Sequence, residues 1–138
     1  MLELSPQVMI LCGSLFIAYV TIAYGGYYLT RVARGAHKLT EFQKSFHRAG
    51  HGHAGMIVTV GIVAAVLSDA TDLEGALGWL ARAGVATAGL LMSAGFFFSS
   101  LGAGREKPSR WIWLLWAGAL LLATSVLTLG VGLIQAAQ

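Results

Sequence analysis

Residues 111–134 read WIWLLWAGALLLATSVLTLGVGLI, 24 positions without one Asp, Glu, Lys, Arg or His. About 20 such residues, each rising about 1.5 Å in a helix, cross the roughly 30 Å hydrocarbon core of a bilayer. A helix apolar around its whole circumference has no face to offer water, so this segment is expected to span a membrane. Three further runs meet the same test, at about 8–29, 46–67 and 76–101, with the fourth span at about 111–134.

The rest of the composition agrees. Of 138 residues, 57% are hydrophobic and 11% charged, and the mean hydropathy is +0.72. A soluble domain carries about 25% charged residues, enough to cover its surface; this chain does not. The fold class expected is all-α, an integral membrane four-helix up-down bundle forming one transmembrane domain over 1–138. The connections RVARGAHKLTEFQKS, SDATDLEG and GAGREKPSR are too short to be domains, and short connections make sequential helices antiparallel neighbours. No Lys or Arg precedes the first apolar run and no small-x-small cleavage pattern follows it, so the first helix is expected to be retained. The single cysteine, Cys12, excludes an intrachain disulfide. The net charge of +3 shows no clustering that suggests nucleic acid.

Where the basic residues sit predicts orientation. Arg31, Arg34, Lys38, Lys44 and Arg48 flank the first connection, and Arg105, Lys107 and Arg110 the third, against Arg82 alone at the other end. Loops rich in Lys and Arg stay in the cytoplasm. Both termini are therefore expected outside a plasma or inner membrane, with loops 1 and 3 cytoplasmic. Trp111, Trp113 and Trp116, with Tyr27 and Tyr28, read as interfacial belt residues on the cytoplasmic side, and Tyr19 and Tyr24 are given the same reading. Asp69, Asp72 and Glu74, with Arg82, read as a solvated acidic patch outside.

The two halves of the chain echo each other. Tyr24-Gly-Gly-Tyr-Tyr-Leu-Thr parallels Ser93-Ala-Gly-Phe-Phe-Phe-Ser, and His53-Ala-Gly parallels Trp116-Ala-Gly. This predicts two parallel two-helix repeats. In that alignment His47, Gly50, His51, Gly52 and His53 correspond to Arg110, Trp113, Leu114, Leu115 and Trp116. One half fills a layer with bulk that the other leaves to imidazoles and glycines.

That layer, FHRAGHGHAGM at residues 46–56, holds three of the four histidines and is the one stretch pointing to chemistry. Counting back about 20 residues from Ser68 puts His51 and His53 within the hydrocarbon and His47 near its surface. Ionisable groups at such depth face a bundle interior or a cavity. Neutral imidazole ligates haem iron, zinc and copper, and Gly50, Gly52 and Gly55 leave room beside it. At about 100° per residue His47 and His51 share a face, while His51 and His53 point nearly opposite ways. His47, His51 and His53 are thus the metal-ligand candidates, with His47 and His51 as the pair for one ion. His51 or His53 is the candidate axial ligand of a haem, with Met92, His37 or a second chain's histidine as partner.

Ser45-Phe46-His47-Arg48-Ala49-Gly50 resembles the S-x-x-H-R-x-x-G stretch of succinate dehydrogenase cytochrome b subunits, with its spacing one residue short. His51-Gly-His53-Ala-Gly is similar to the H-x-H helical motifs of haem–copper oxidase relatives. Each covers about six residues, and neither specifies a family. Four histidines are too few for the multiple boxes of membrane di-iron hydroxylases. The chain has no H-E-x-x-H, P-loop or G-x-S-x-G pattern, which disfavours a conventional hydrolase or ATPase.

The function expected is a redox-type subunit that holds haem b or a transition metal (zinc, copper or iron) at the cytoplasmic end of helix 2 and exchanges electrons with a quinone. Two alternatives stand beside it: a small proton or cation channel or transporter with titrating histidines, and an accessory subunit of a larger membrane complex. The 18 glycines favour close helix packing, and with it a homo-oligomer or docking into a complex.

Overall fold

A computed structural model describes residues 3–138. Four helices account for nearly all of them: α1 (Pro6–Ala33), α2 (Glu41–Ser68), α3 (Gly75–Ser99) and α4 (Trp113–Ala136), the last entered through a 3₁₀ turn at Arg110–Ile112. No strand occurs among the described residues. All four helices are long and apolar enough to cross a membrane, the fourth counted from Arg110.

The ends follow from local chemistry. Ser5 caps α1, its hydroxyl accepting from the Val8 amide at 3.3 Å, and Pro6 occupies the first turn, where its missing N–H is no loss. Beyond the last turn of α1 the chain breaks at Gly35, whose φ of +78° falls in the left-handed region that glycine adopts freely. Helix α2 begins at Glu41, about five residues before the apolar run. Thr40 and Gln43 form a reciprocal capping box there, so a polar first turn precedes the hydrophobic one. Helix α3 stops at Ser99, two residues short of the expected 101, and the Ser109 amide donates to the Ser99 carbonyl at 2.8 Å, closing loop 3.

Helix α3 is the hub. Half of its apolar window is buried against other helices, compared with 17% for α1, which packs on α2. Along the α2–α3 seam Gly50 meets Phe96 and Phe97, Ile57 meets Gly89, and Gly61 meets Ala86, the numbers rising on one helix as they fall on the other. Along α3–α4 Gly84 meets Ser125 and Gly95 meets Leu115 in the same reversed order. A Cβ on Gly61 would lie 2.8 Å from the Ala86 Cα, closer than real carbons approach, so this backbone contact requires glycine. Ile57, Ala64, Ala81, Val85, Met92 and Leu129 form the main core between α2, α3 and α4. A second cluster of Leu15, Val58 and Ala86 sits under α1.

Candidate functional site

The three histidines of α2 lie on a regular helix, and each finds a different environment. His47 is buried. Its Nδ1 shares a 3.1 Å hydrogen bond with the Tyr28 hydroxyl, and its ring lies 5.5 Å from that of Phe97. Tyr28 also has the ring of His37, in loop 1, 5.3 Å away. His51, one turn on from His47, likewise meets α1. It rests on Gly25 and Gly26, where added Cβ atoms would lie 3.2 Å from its Nδ1 and 3.4 Å from its Nε2. Among the described residues it has no side-chain hydrogen-bond partner.

His53 turns the other way, its ring 4.9 Å from that of Phe96. Its Nδ1 lies 2.8 Å from the Ala49 carbonyl oxygen, one turn back on the same helix. A carbonyl only accepts, so Nδ1 is the protonated nitrogen and the Nε2 lone pair is uncommitted. A Cβ on the neighbouring Gly52 would meet nothing within 4 Å.

The imidazoles therefore diverge, and no group of three His, Cys, Asp or Glu side chains that could hold a metal ion occurs among the described residues. Met92 is buried in the core between α2, α3 and α4, against Gly118. Beside His47 an open cleft of about 330 Å³ lies between Tyr28, Lys38, Leu39, Gln43 and loop 3. Gln43 forms its inner wall, its buried amide donating to the Ser100 and Gly102 carbonyls at 2.9 and 2.8 Å.

Several polar groups serve otherwise than their sequence suggests. Tyr24, Tyr27, Trp111, Trp113 and Trp116 are exposed. Tyr28 and Tyr19 are only partly exposed. Both tie α1 to α2: Tyr28 bonds His47, and the Tyr19 hydroxyl donates to the Gly55 carbonyl at 2.7 Å and touches the Thr59 hydroxyl. Asp69 is no solvated patch residue either. Its carboxylate accepts from the Ser5 amide at 2.6 Å, the Ser5 hydroxyl at 3.0 Å and Arg82 at 3.3 Å. It holds the start of α1 against the end of α2. A heptad along α1 would have shown this face. Ser5, Cys12 and Tyr19 meet Asp69, Ile62 and Gly55, which descend by the same seven, and Gly26, seven further on, meets His51.

No protein-family model matches this chain, and no curated protein or solved structure matches it.

Proposed function

We propose that this chain is a small redox-type membrane subunit, an up-down bundle of two related helix pairs, whose α2 histidines hold haem b or a transition metal near the end formed by loops 1 and 3. The observation that supports it is His53. Histidines that ligate metals usually donate their second ring nitrogen to a carbonyl or carboxylate, which fixes the tautomer and aims the lone pair. The Ala49 carbonyl does this for His53, and the open flank at Gly52 gives the free Nε2 an approach. Haem iron bound there would supply one-electron transfer. With Met92 turned toward Gly118, a second ligand for the haem iron would come from the same histidine of another copy, which would make the protein a homo-oligomer or part of a larger complex. A smaller ion would use His47 and His51, which both face α1, with a third ligand from elsewhere. The cleft between Lys38, Leu39 and His47 is the place for a quinone headgroup. The eight-to-one bias of basic residues puts this end in the cytoplasm and both termini outside.

The test is an absorption spectrum and elemental analysis of the purified protein. The expected result is a Soret band that shifts on reduction and disappears in His53→Ala. Insertion should survive that change, because the His53 hydrogen bond runs to its own helix and its loss breaks no polar contact between helices, whereas losing a ligand removes a group that would hold the haem. A colourless protein free of zinc, copper and iron would overturn the reading.

A second reading is movement of a proton or cation, with the histidines titrating. It is favoured by His51, which has no partner and lies between the Tyr28–His47 and Tyr19–Thr59 pairs. Against it, Leu15, Val58 and Ala86 separate these groups from Asp69 with a dry cluster. A flux in proteoliposomes lost in His51→Ala would select it. A protein with neither flux nor cofactor would be an accessory subunit.

A further inference from the structure

Helices α1 and α2 leave a narrow groove between them at the loop-1 end, about 70 Å³ in volume and lined by Leu29, Val32 and Ala33 of α1 and by Lys44 and Arg48 of α2. One wall is wholly aliphatic. The other presents two cations one turn apart on one helix face. Lys44 gives one bond to Glu41 at 2.8 Å, and Arg48 makes no ion pair among the described residues. The groove lies between two helices long and apolar enough to cross a membrane, at the end where basic residues concentrate.

We infer that this groove binds an anionic phospholipid, with the phosphate between Lys44 and Arg48 and the upper acyl chain along Leu29 and Val32. A cationic wall facing an aliphatic one meets both the charge and the hydrocarbon of such a lipid. The volume suits a phosphate-sized group. Basic pockets between membrane helices bind anionic headgroups in this manner. The occupant also has something to hold together, because α1 buries little of itself and depends on α2 for its contacts. Nothing in this inference depends on the histidines' role.

The test uses the full chain in a neutral detergent, mixed with phosphatidylglycerol or phosphatidylcholine and followed by native mass spectrometry and thermal unfolding. Each cation near an anionic lipid contributes about fivefold in affinity. The protein should retain phosphatidylglycerol in preference to phosphatidylcholine and melt at a higher temperature with it. The pair Lys44→Gln, Arg48→Gln should lose between about fivefold and twenty-five-fold of that affinity, while Lys107→Gln, which removes a loop-3 charge at the same end, should lose little. Equal losses in the two variants would mean general attraction to a basic end and would overturn the site. So would indifference to headgroup charge, or displacement of the lipid and equal stabilisation by millimolar inorganic phosphate. If the double variant melts early without lipid, the lipid preference by mass spectrometry of its folded fraction still decides.

Discussion

Asp69 is the residue whose loss should be felt most. Its carboxylate satisfies the Ser5 amide, the Ser5 hydroxyl and Arg82 at once, with 7% of the side chain exposed. The Arg82 Nε is already buried without a hydrogen-bond partner among the described residues. Removing one member of a buried ion pair strands the other, at about 3–5 kcal/mol. Arg82 keeps 18% of its side chain exposed, which argues for the lower end of that range. Asp69→Ala is therefore expected to lower the melting temperature in detergent markedly, whereas Asp72→Ala, at an exposed position, should stay within about 0.5 kcal/mol. Adding Arg82→Ala to Asp69→Ala should restore part of the loss. Equal melting of the two single variants would refute the pairing. Residues of this kind are poorly legible in sequence. Asp69, Asp72 and Glu74 read alike as a charged cluster, and only the docking of Ser5, 64 positions away, separates the first from the others. The histidine layer was legible as a concentration of unusual residues in an apolar run. Its divergence was legible too, since helical angles alone keep three side chains at positions 47, 51 and 53 from converging. The Tyr28 hydroxyl on His47 was not, because interfacial tyrosines carry no mark of the partner they meet.

The existence and approximate extent of the four helices were plain from hydropathy, while their packing was not. A span's apolar run reports what the lipid requires; which face meets which helix depends on small residues scattered through it. Gly61 and Gly13 are the same letter in similar surroundings. Yet a Cβ at Gly61 would press on the Ala86 backbone, while one at Gly13 would meet nothing within 4 Å. Gly61→Val should push α2 from α3 and destabilise by about 1–3 kcal/mol, the usual range for overpacking. Gly13→Ala should be neutral or gain up to about 1 kcal/mol of helix propensity. Thermal unfolding of both in one detergent checks the contrast. If Gly61→Val melts with the parent protein, the α2–α3 contact is not as close as described. The early start of α2 teaches the same lesson at its end. The Thr40-x-x-Gln43 signature precedes the apolar run, and reading hydropathy alone passes over it.

At the scale of the molecule, the sequence echo between the halves meets an unequal setting. Helix α3 is enclosed by α2 and α4, while its counterpart α1 lies on α2 with Ile10, Phe16, Ile17, Val20 and Tyr24 exposed. Lipid satisfies such a face as well as protein does, so exposure alone does not demand a partner. The proposed shared ligation by two copies of His53 does, and light scattering in mild detergent should give a mass of at least twice 14.5 kDa. A monomer that keeps its Soret band would remove the second copy from the ligation.

Which end of the bundle faces the cytoplasm decides what the histidine layer, the cleft and the groove between α1 and α2 can exchange with. The bilayer core is symmetric to hydropathy, and helix contacts are unchanged by inverting the whole molecule. Orientation therefore rests on charge alone: eight Lys and Arg residues at the end of loops 1 and 3 against Arg82 at the other. Arg82 is moreover engaged with Asp69, so its charge is offset where it stands. Single cysteines report the outcome. In a Cys12→Ser background, Ala36→Cys probes loop 1 and Asp72→Cys probes loop 2, both exposed positions. With a membrane-impermeant maleimide on intact cells, Asp72→Cys should react, and Ala36→Cys should react only after the membrane is opened. The reverse pattern would invert the molecule and move the histidine layer to the outer leaflet. Reaction of both positions in intact cells would mean that the chain does not hold one orientation, and that eight basic residues at one end are too weak a bias to fix it even with Arg82 offset by Asp69.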